Sequence, residues 1–103
     1  MISNKQKITL IEANKRISLY CPIGKDYYTA DVLMKFTPDK YYMDYIKLDN
    51  FLNRLSGLSY TIEEVAEHIY NELQRYEPHN CSVIIQAYSN THLNVTVTKG
   101  LVA

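Results

Sequence analysis

Apolar residues in the second half of the chain recur at the spacing of a helix. Intervals of three and four residues place four of them on one helical face: Ile62, Val65, Ile69 and Leu73. Thr61 precedes this stripe and is a good N-cap, and Glu64, three residues further on, completes a capping box. The pattern predicts a helix that begins after Thr61 and ends before residues 77–80. A second helix is predicted upstream, over residues 44–55, and Ser56-Gly57 ends it.

Strand-like segments flank the two predicted helices. Residues 8–20 have strand character, broken by the polar stretch at residues 12–16. Residues 21–25 contain a proline and a glycine, and both oppose a central strand. The remaining predicted strands cover residues 29–36, 81–88 and 92–98, and residues 89–91 form a hairpin connection between the last two.

The resulting order, β-β-α-α-β-β, predicts an α+β fold. In this arrangement one antiparallel sheet carries both helices on one face. A length of 103 residues corresponds to a single domain, residues 1–103, without room for a separate cofactor domain.

Composition and charge exclude several classes of protein. Eleven basic and eleven acidic side chains cancel, so bulk charge does not indicate a nucleic-acid or membrane partner. The sequence contains no apolar run of about 18 residues, which excludes a membrane span, and no signal peptide is recognised at its start. With two cysteines and no export signal, we expect reduced thiols and a cytoplasmic location.

The sequence offers little support for a metal or phosphate site. His68, His79 and His92 fall on different predicted elements, and neither cysteine belongs to a Cys-x-x-Cys pair. The three glycines do not form a phosphate-binding loop. We therefore predict no metal.

Two residues stand out as candidates for chemistry. Cys21 lies at a proline-marked break after a strand, where a side chain can face a cleft, although most free cysteines act as small hydrophobes. A free thiol has a pKa of about 8.5 and is about 3% thiolate at pH 7, so catalysis would need activation. Glu63 lies in the first turn of the longer helix. There it either complements the helix dipole or accepts two N–H bonds from a guanine-like edge.

These residues resemble a known family, the 7-cyano-7-deazaguanine reductases (QueF). The resemblance rests on Cys21-Pro22-Ile23, the Pro38-Asp39 turn, Asp44 and the Glu63-Glu64 pair, and it extends over nearly the whole chain. It implies the tunnelling fold (T-fold) and a covalent thioimide between Cys21 and the substrate nitrile. It also implies substrate binding by Glu63 and Asp44.

The departures from the reductase pattern change the predicted reaction. The proton-donating aspartate of the family falls on Tyr28, so Asp26 or Tyr28 would substitute for it. The nicotinamide-cofactor motif falls on residues 44–51, where Ile46 and Asp49 replace lysines. The combination resembles the short QueF-like amidinotransferases, which need no nicotinamide and form archaeosine in tRNA, and we predict no cofactor and ammonia as the second reactant. The alternatives are a divergent NADPH-dependent reductase of queuosine biosynthesis and a non-catalytic binder of deazaguanine or pterin rings.

The resemblance further implies a homo-oligomer, a decamer of two stacked pentamers. A four-stranded sheet in so short a chain leaves open edges and cannot enclose a ligand alone. In that assembly the sites lie between subunits, so Cys21 and Glu63 need not come from the same chain.

Overall fold

The structure, a computed structural model, describes residues 1–88 and 93–101 of the chain. Its elements are β1 (Ile2–Ser3), β2 (Ile11–Cys21), β3 (Asp26–Thr37), β4 (Tyr41–Tyr42), α1 (Tyr45–Leu55), α2 (Ile62–Gln74), β5 (Asn80–Tyr88) and β6 (Val95–Leu101). The six long elements follow the predicted order, β-β-α-α-β-β. Strands β2, β3, β5 and β6 form one antiparallel sheet in the spatial order β2-β3-β5-β6.

One hydrophobic core lies between this sheet and the two helices. Alternate residues of β3 face the helices and are buried: Ala30, Val32, Met34 and Phe36. Both helices contribute buried side chains to the same core cluster, which places them on one face of the sheet. The predicted α+β fold is therefore confirmed.

Both helices begin and end close to their predicted limits because their signals are local. Asp44 caps α1 and accepts a hydrogen bond from the Ile46 amide at 2.9 Å. Thr61 and Glu64 form both hydrogen bonds of the predicted capping box at the start of α2, at 3.2 and 3.0 Å. Each of these caps satisfies backbone N–H groups that a helix leaves without a partner.

The predicted break at residues 12–16 is wrong, because β2 runs through this stretch without interruption. Its charged side chains find partners on neighbouring elements. Arg16 binds Asp31 on β3 through two hydrogen bonds of 2.7 and 3.1 Å, and Lys15 binds Asp49 on α1. Cross-strand and strand-to-helix ion pairs thus allow a polar segment to continue a half-buried strand.

Several strand limits differ from the predicted ones. The first long strand begins at Ile11 rather than at residue 8, and the second begins at Asp26 rather than at residue 29. The last strand is Val95–Leu101 rather than 92–98. The predicted hairpin connection at 89–91 lies outside the described residues.

A short two-stranded sheet was not predicted. Strand β1 pairs antiparallel with β4, and Ile2 lies opposite Tyr42. Each strand is only two residues long, which is too short to produce a recognisable alternation of apolar and polar positions.

The segment between the helices, residues 57–60, lies along the edge of β2. The Gly57 amide donates to the Ser18 carbonyl at 2.7 Å, and the Tyr20 amide donates to the Leu58 carbonyl at 3.0 Å. The Tyr60 amide then donates to the Tyr20 carbonyl, also at 3.0 Å. This parallel pairing holds the beginning of α2 next to the carboxyl end of β2.

Candidate active site

Cys21 is the last residue of β2 and lies opposite Asp26, the first residue of β3. The turn between them is tight, and the Lys25 amide donates to the Cys21 carbonyl at 2.8 Å. The Gly24 amide lies 3.4 Å from the Cys21 sulfur and donates to it. The thiol is partly exposed, so a ligand can reach its sulfur, and its catalytic role stays a prediction.

The Cys21 side chain opens into a cavity of about 150 Å³. The cavity lies between the β2–β3 turn, the first turn of α2 and the neighbouring ends of β5 and β6. Its walls are mainly aliphatic and aromatic, formed by Cys21, Gly24, Asp26, Tyr27, Tyr28, Ile62, Ala87 and Val95. A mostly apolar molecule suits such walls, and a few polar groups would set its orientation.

Of the two predicted proton donors, Tyr28 is already engaged in a hydrogen bond. Its hydroxyl donates to the Tyr60 carbonyl at 2.7 Å, and the residue is half-buried. Burial raises the pKa of Tyr28 well above its usual value, and the charges of Cys21 and Glu63 raise it further. The phenol therefore holds its proton tightly, while its neighbours place it close to both the thiol and Glu63.

Asp26, the second predicted proton donor, also lines the cavity. Its carboxylate accepts a hydrogen bond from the Tyr27 amide at 2.8 Å, and its side chain is exposed. The structure therefore brings Asp26, Tyr28 and Cys21 together around one cavity, although their catalytic roles stay predictions.

Glu63 and Glu64 differ in what they do at the start of α2. Glu64 is committed to the capping box, and its hydrogen bonds with Thr61 lower the pKa of its carboxyl group. Glu63 takes no part in the box and is exposed, one residue after the cavity-lining Ile62. Glu63 is thus the carboxylate with freedom to bind a ligand at this position.

Asp44, the other predicted substrate-binding residue, lies at the opposite end of β2 in this chain. Tyr45, next to it, shares a surface cavity with Ala13 and Asn14. Cys21 comes eight residues after Ala13 along β2, a distance on the order of 25 Å. Within one chain, therefore, Asp44 does not meet Cys21, and its proposed role requires a second subunit.

Comparison with known proteins identifies the fold. No protein-family model matches the sequence, and no curated protein matches it either. Among solved structures, the chain is similar to the archaeosine synthase QueF-Like in its apo form, with a TM-score of 0.82. The chain has the T-fold of QueF-like proteins. The similarity covers 89% of this chain and 92% of that one at 18% sequence identity, so the predicted resemblance is confirmed at the level of the fold.

Several residues of this candidate site were not singled out from the sequence. Val95 and Ala87 reach the cavity from β6 and β5, and Tyr60 contributes its backbone carbonyl to Tyr28. The alternation of residues 93–98 indicates that Val95 faces the helices, but not that a cavity lies there. A carbonyl group has no sequence signal at all, since every residue carries one.

Neither a metal centre nor a membrane segment appears in the part of the QueF-like fold that the structure describes. Within residues 1–88 and 93–101, no three His, Cys, Asp or Glu side chains come together as a possible metal site. His68 instead packs its ring against Tyr60, with ring centroids 4.7 Å apart. Within the same residues, no helix is both long enough and apolar enough to cross a membrane.

Proposed function

We propose that this protein is a QueF-like enzyme that attacks the nitrile of 7-cyano-7-deazaguanine through Cys21. We further propose that it is an amidinotransferase, which uses ammonia to form archaeosine in tRNA. The observation that carries the proposal is the placement of a thiol with an amide donor on its sulfur in a cavity beside Glu63. The similarity of the fold to an archaeosine synthase QueF-Like supports it.

The proposed reaction consists of two additions at one carbon. The Cys21 sulfur adds to the nitrile carbon, one π bond of the nitrile breaks, and a proton reaches the nitrogen to give a thioimide. Ammonia then adds to the same carbon, and the C–S bond breaks. The released Cys21 sulfur regains its proton, and the nitrile has become an amidine without net oxidation or reduction.

Glu63 and Asp26 have separate roles in this proposal. The Glu63 carboxylate accepts two parallel N–H bonds from the guanine-like edge, which turns the nitrile toward sulfur. Asp26 lies in the cavity wall beside Cys21, and this position supports a role in proton exchange with the imide nitrogen. The Tyr28 hydroxyl is less available for this step, because it already donates to the Tyr60 carbonyl.

The size of the cavity supports an oligomeric enzyme. Its volume of about 150 Å³ is small beside the roughly 300–1,000 Å³ of ordinary ligand sites, so a neighbouring subunit would have to complete it. We propose a homo-oligomer, a decamer of two pentamers, in which Asp44 of another subunit reaches the ligand. Light scattering at micromolar concentration tests this, and a monomer would contradict it.

A non-catalytic deazaguanine binder is the second candidate, and the Tyr28 hydrogen bond favours it. The position at which the reductases carry their proton donor holds a phenol whose proton is committed to a backbone carbonyl. A protein that kept the ring-binding cavity and lost the acid would bind the nitrile without converting it.

Intact mass spectrometry after incubation with 7-cyano-7-deazaguanine separates these functions. We expect an increase by the full mass of the nitrile, because a thioimide forms by addition without a leaving group. Cys21→Ala should abolish the adduct and Cys81→Ala, the matched control, should retain it. An adduct that persists in Cys21→Ala would contradict the proposal.

The second reactant and the form of the substrate are tested in the same assay. With ammonium, the adduct should disappear as an amidine product accumulates, and with NADPH alone it should stay. Loss of NADPH absorbance that depends on both nitrile and Cys21 would indicate the reductase. Free base and tRNA carrying the nitrile base are supplied in parallel. The one that is converted faster is identified as the substrate.

A further inference from the structure

The Tyr28 side chain connects the cavity wall to the backbone just before α2. Its ring lines the cavity, and its hydroxyl reaches the Tyr60 carbonyl at 2.7 Å. Tyr60 is the last residue before Thr61, the N-cap of α2. The hydrogen bond therefore acts where the chain enters the helix.

Both backbone polar groups of Tyr60 are held by strands of the sheet. Its amide donates to the Tyr20 carbonyl on β2 at 3.0 Å, and its carbonyl accepts the Tyr28 hydroxyl of β3. Hydrogen bonds therefore hold the two peptide units that flank the Tyr60 α-carbon, which restricts the direction in which the chain enters α2. Glu63 comes three residues after Tyr60, in the first turn of α2.

We infer that Tyr28 is a positioning residue, whose hydroxyl holds the start of α2 so that Glu63 faces a ligand at Cys21. It acts through Tyr60 and does not exchange a proton with the substrate. The effect of Tyr28 on ligand binding rests on the proposed function, whereas its hydrogen bond at the start of α2 does not.

Tyr28→Phe removes the hydroxyl and retains the ring in the cavity wall. Amide exchange at Glu64, whose N–H donates to Thr61 Oγ1, should quicken by roughly three- to tenfold, the effect of one ordinary hydrogen bond. Tyr27→Phe is the matched control, because Tyr27 lines the same cavity and is 68% exposed. The control should leave the exchange of Glu64 unchanged.

Ligand binding separates positioning from proton donation. Binding of 7-cyano-7-deazaguanine is measured in a Cys21→Ala background, so that no adduct forms. Tyr28→Phe should raise Kd by a similar three- to tenfold factor. The increase should vanish when Glu63→Gln is also present, because there is then no carboxylate to position.

Three results would overturn the inference. The first is equal Glu64 amide exchange in the parent protein and Tyr28→Phe. The second is an increase in Kd on Tyr28→Phe that has the same size in the protein with Glu63 and in the protein with Glu63→Gln. The third is slower adduct formation with unchanged Kd, which would make Tyr28 a proton donor. Failure of the parent protein to bind the nitrile would instead refute the proposed function, and the exchange measurement, which needs no ligand, would still decide whether Tyr28 holds the start of α2.

Discussion

Gly100 and Gly57 form a natural pair for testing the packing of the sheet. Both have positive φ angles, 83° and 85°, which disfavour any residue with a Cβ atom. A Cβ at Gly100 would overlap the Cys81 carbonyl oxygen and lie 2.5 Å from a ring carbon of Tyr70. A Cβ at Gly57 would meet nothing within 4 Å.

The alanine variants should therefore differ in stability by the steric contribution alone. Gly57→Ala should lower the free energy of unfolding by about 1–2 kcal/mol, because alanine is strained in the left-handed conformation. Gly100→Ala adds a displaced backbone, since Ser82 on β5 pairs with Gly100 and Tyr70 on α2 packs above it. Overpacking of this kind costs about 1–3 kcal/mol more, for a total of about 2–5 kcal/mol.

Urea denaturation of both variants and the parent protein measures this difference. Gly100→Ala should shift the midpoint further than Gly57→Ala at an unchanged m-value. Equal shifts would refute the reasoning, because they would mean that β6 moves away from Cys81 at no cost.

Three further outcomes follow from the cysteines and from the start of α2. Iodoacetamide at pH 8 should modify Cys21 and spare Cys81 in the native protein, because burial raises the pKa of Cys81 to about 11; peptide mapping by mass spectrometry checks this. The folded state keeps the Cys81 proton to a higher pH than the unfolded state does. The free energy of unfolding should therefore fall by up to about 2–3 kcal/mol as pH rises from about 9 to about 11. Urea titrations at each pH measure this fall, and Cys81→Ala should flatten it. Glu64→Gln should lower the melting temperature more than Glu63→Gln and leave ligand binding intact. The lowered pKa of Glu64 means that its contribution is present at neutral pH and is lost as pH falls through that pKa, so the two melting temperatures should converge in acid.

The sequence was informative wherever the decisive contacts are local. The capping box of Thr61 and Glu64 lies within four residues, and the helix follows it as predicted. The turn after Cys21 was likewise indicated by the proline and glycine that form it. Asp44 shows that a local signal can have two explanations, because the residue that the resemblance assigned to a substrate also caps α1.

Contacts between distant residues explain what the sequence did not reveal. The apparent break in β2 is closed by Asp31 and Asp49, which lie 15 and 34 residues from their partners Arg16 and Lys15. The hydrogen bond of Tyr28 spans 32 residues and ends on a backbone carbonyl, so no pattern of residue types marks it. Only the pairing of residues 57–60 with β2 brings that carbonyl within reach.

The pairing of β3 with β5 has a consequence for the order of folding. Thr37 pairs with Asn80, so this contact closes a loop that contains both helices. Closing a loop of about 40 residues costs about 3 kcal/mol of chain entropy beyond a constant, and such contacts form late. The β2–β3 hairpin closes over a few residues and can form within microseconds.

The two halves of the candidate site thus belong to different stages of folding. Cys21 enters its turn with the early hairpin, whereas Glu63 arrives only when α2 docks. A chain that folds in this order has the thiol in its turn before the Glu63 carboxylate lies near it. Docking of α2 therefore completes the candidate site, because it brings Glu63 beside a thiol that stays partly exposed in the folded chain.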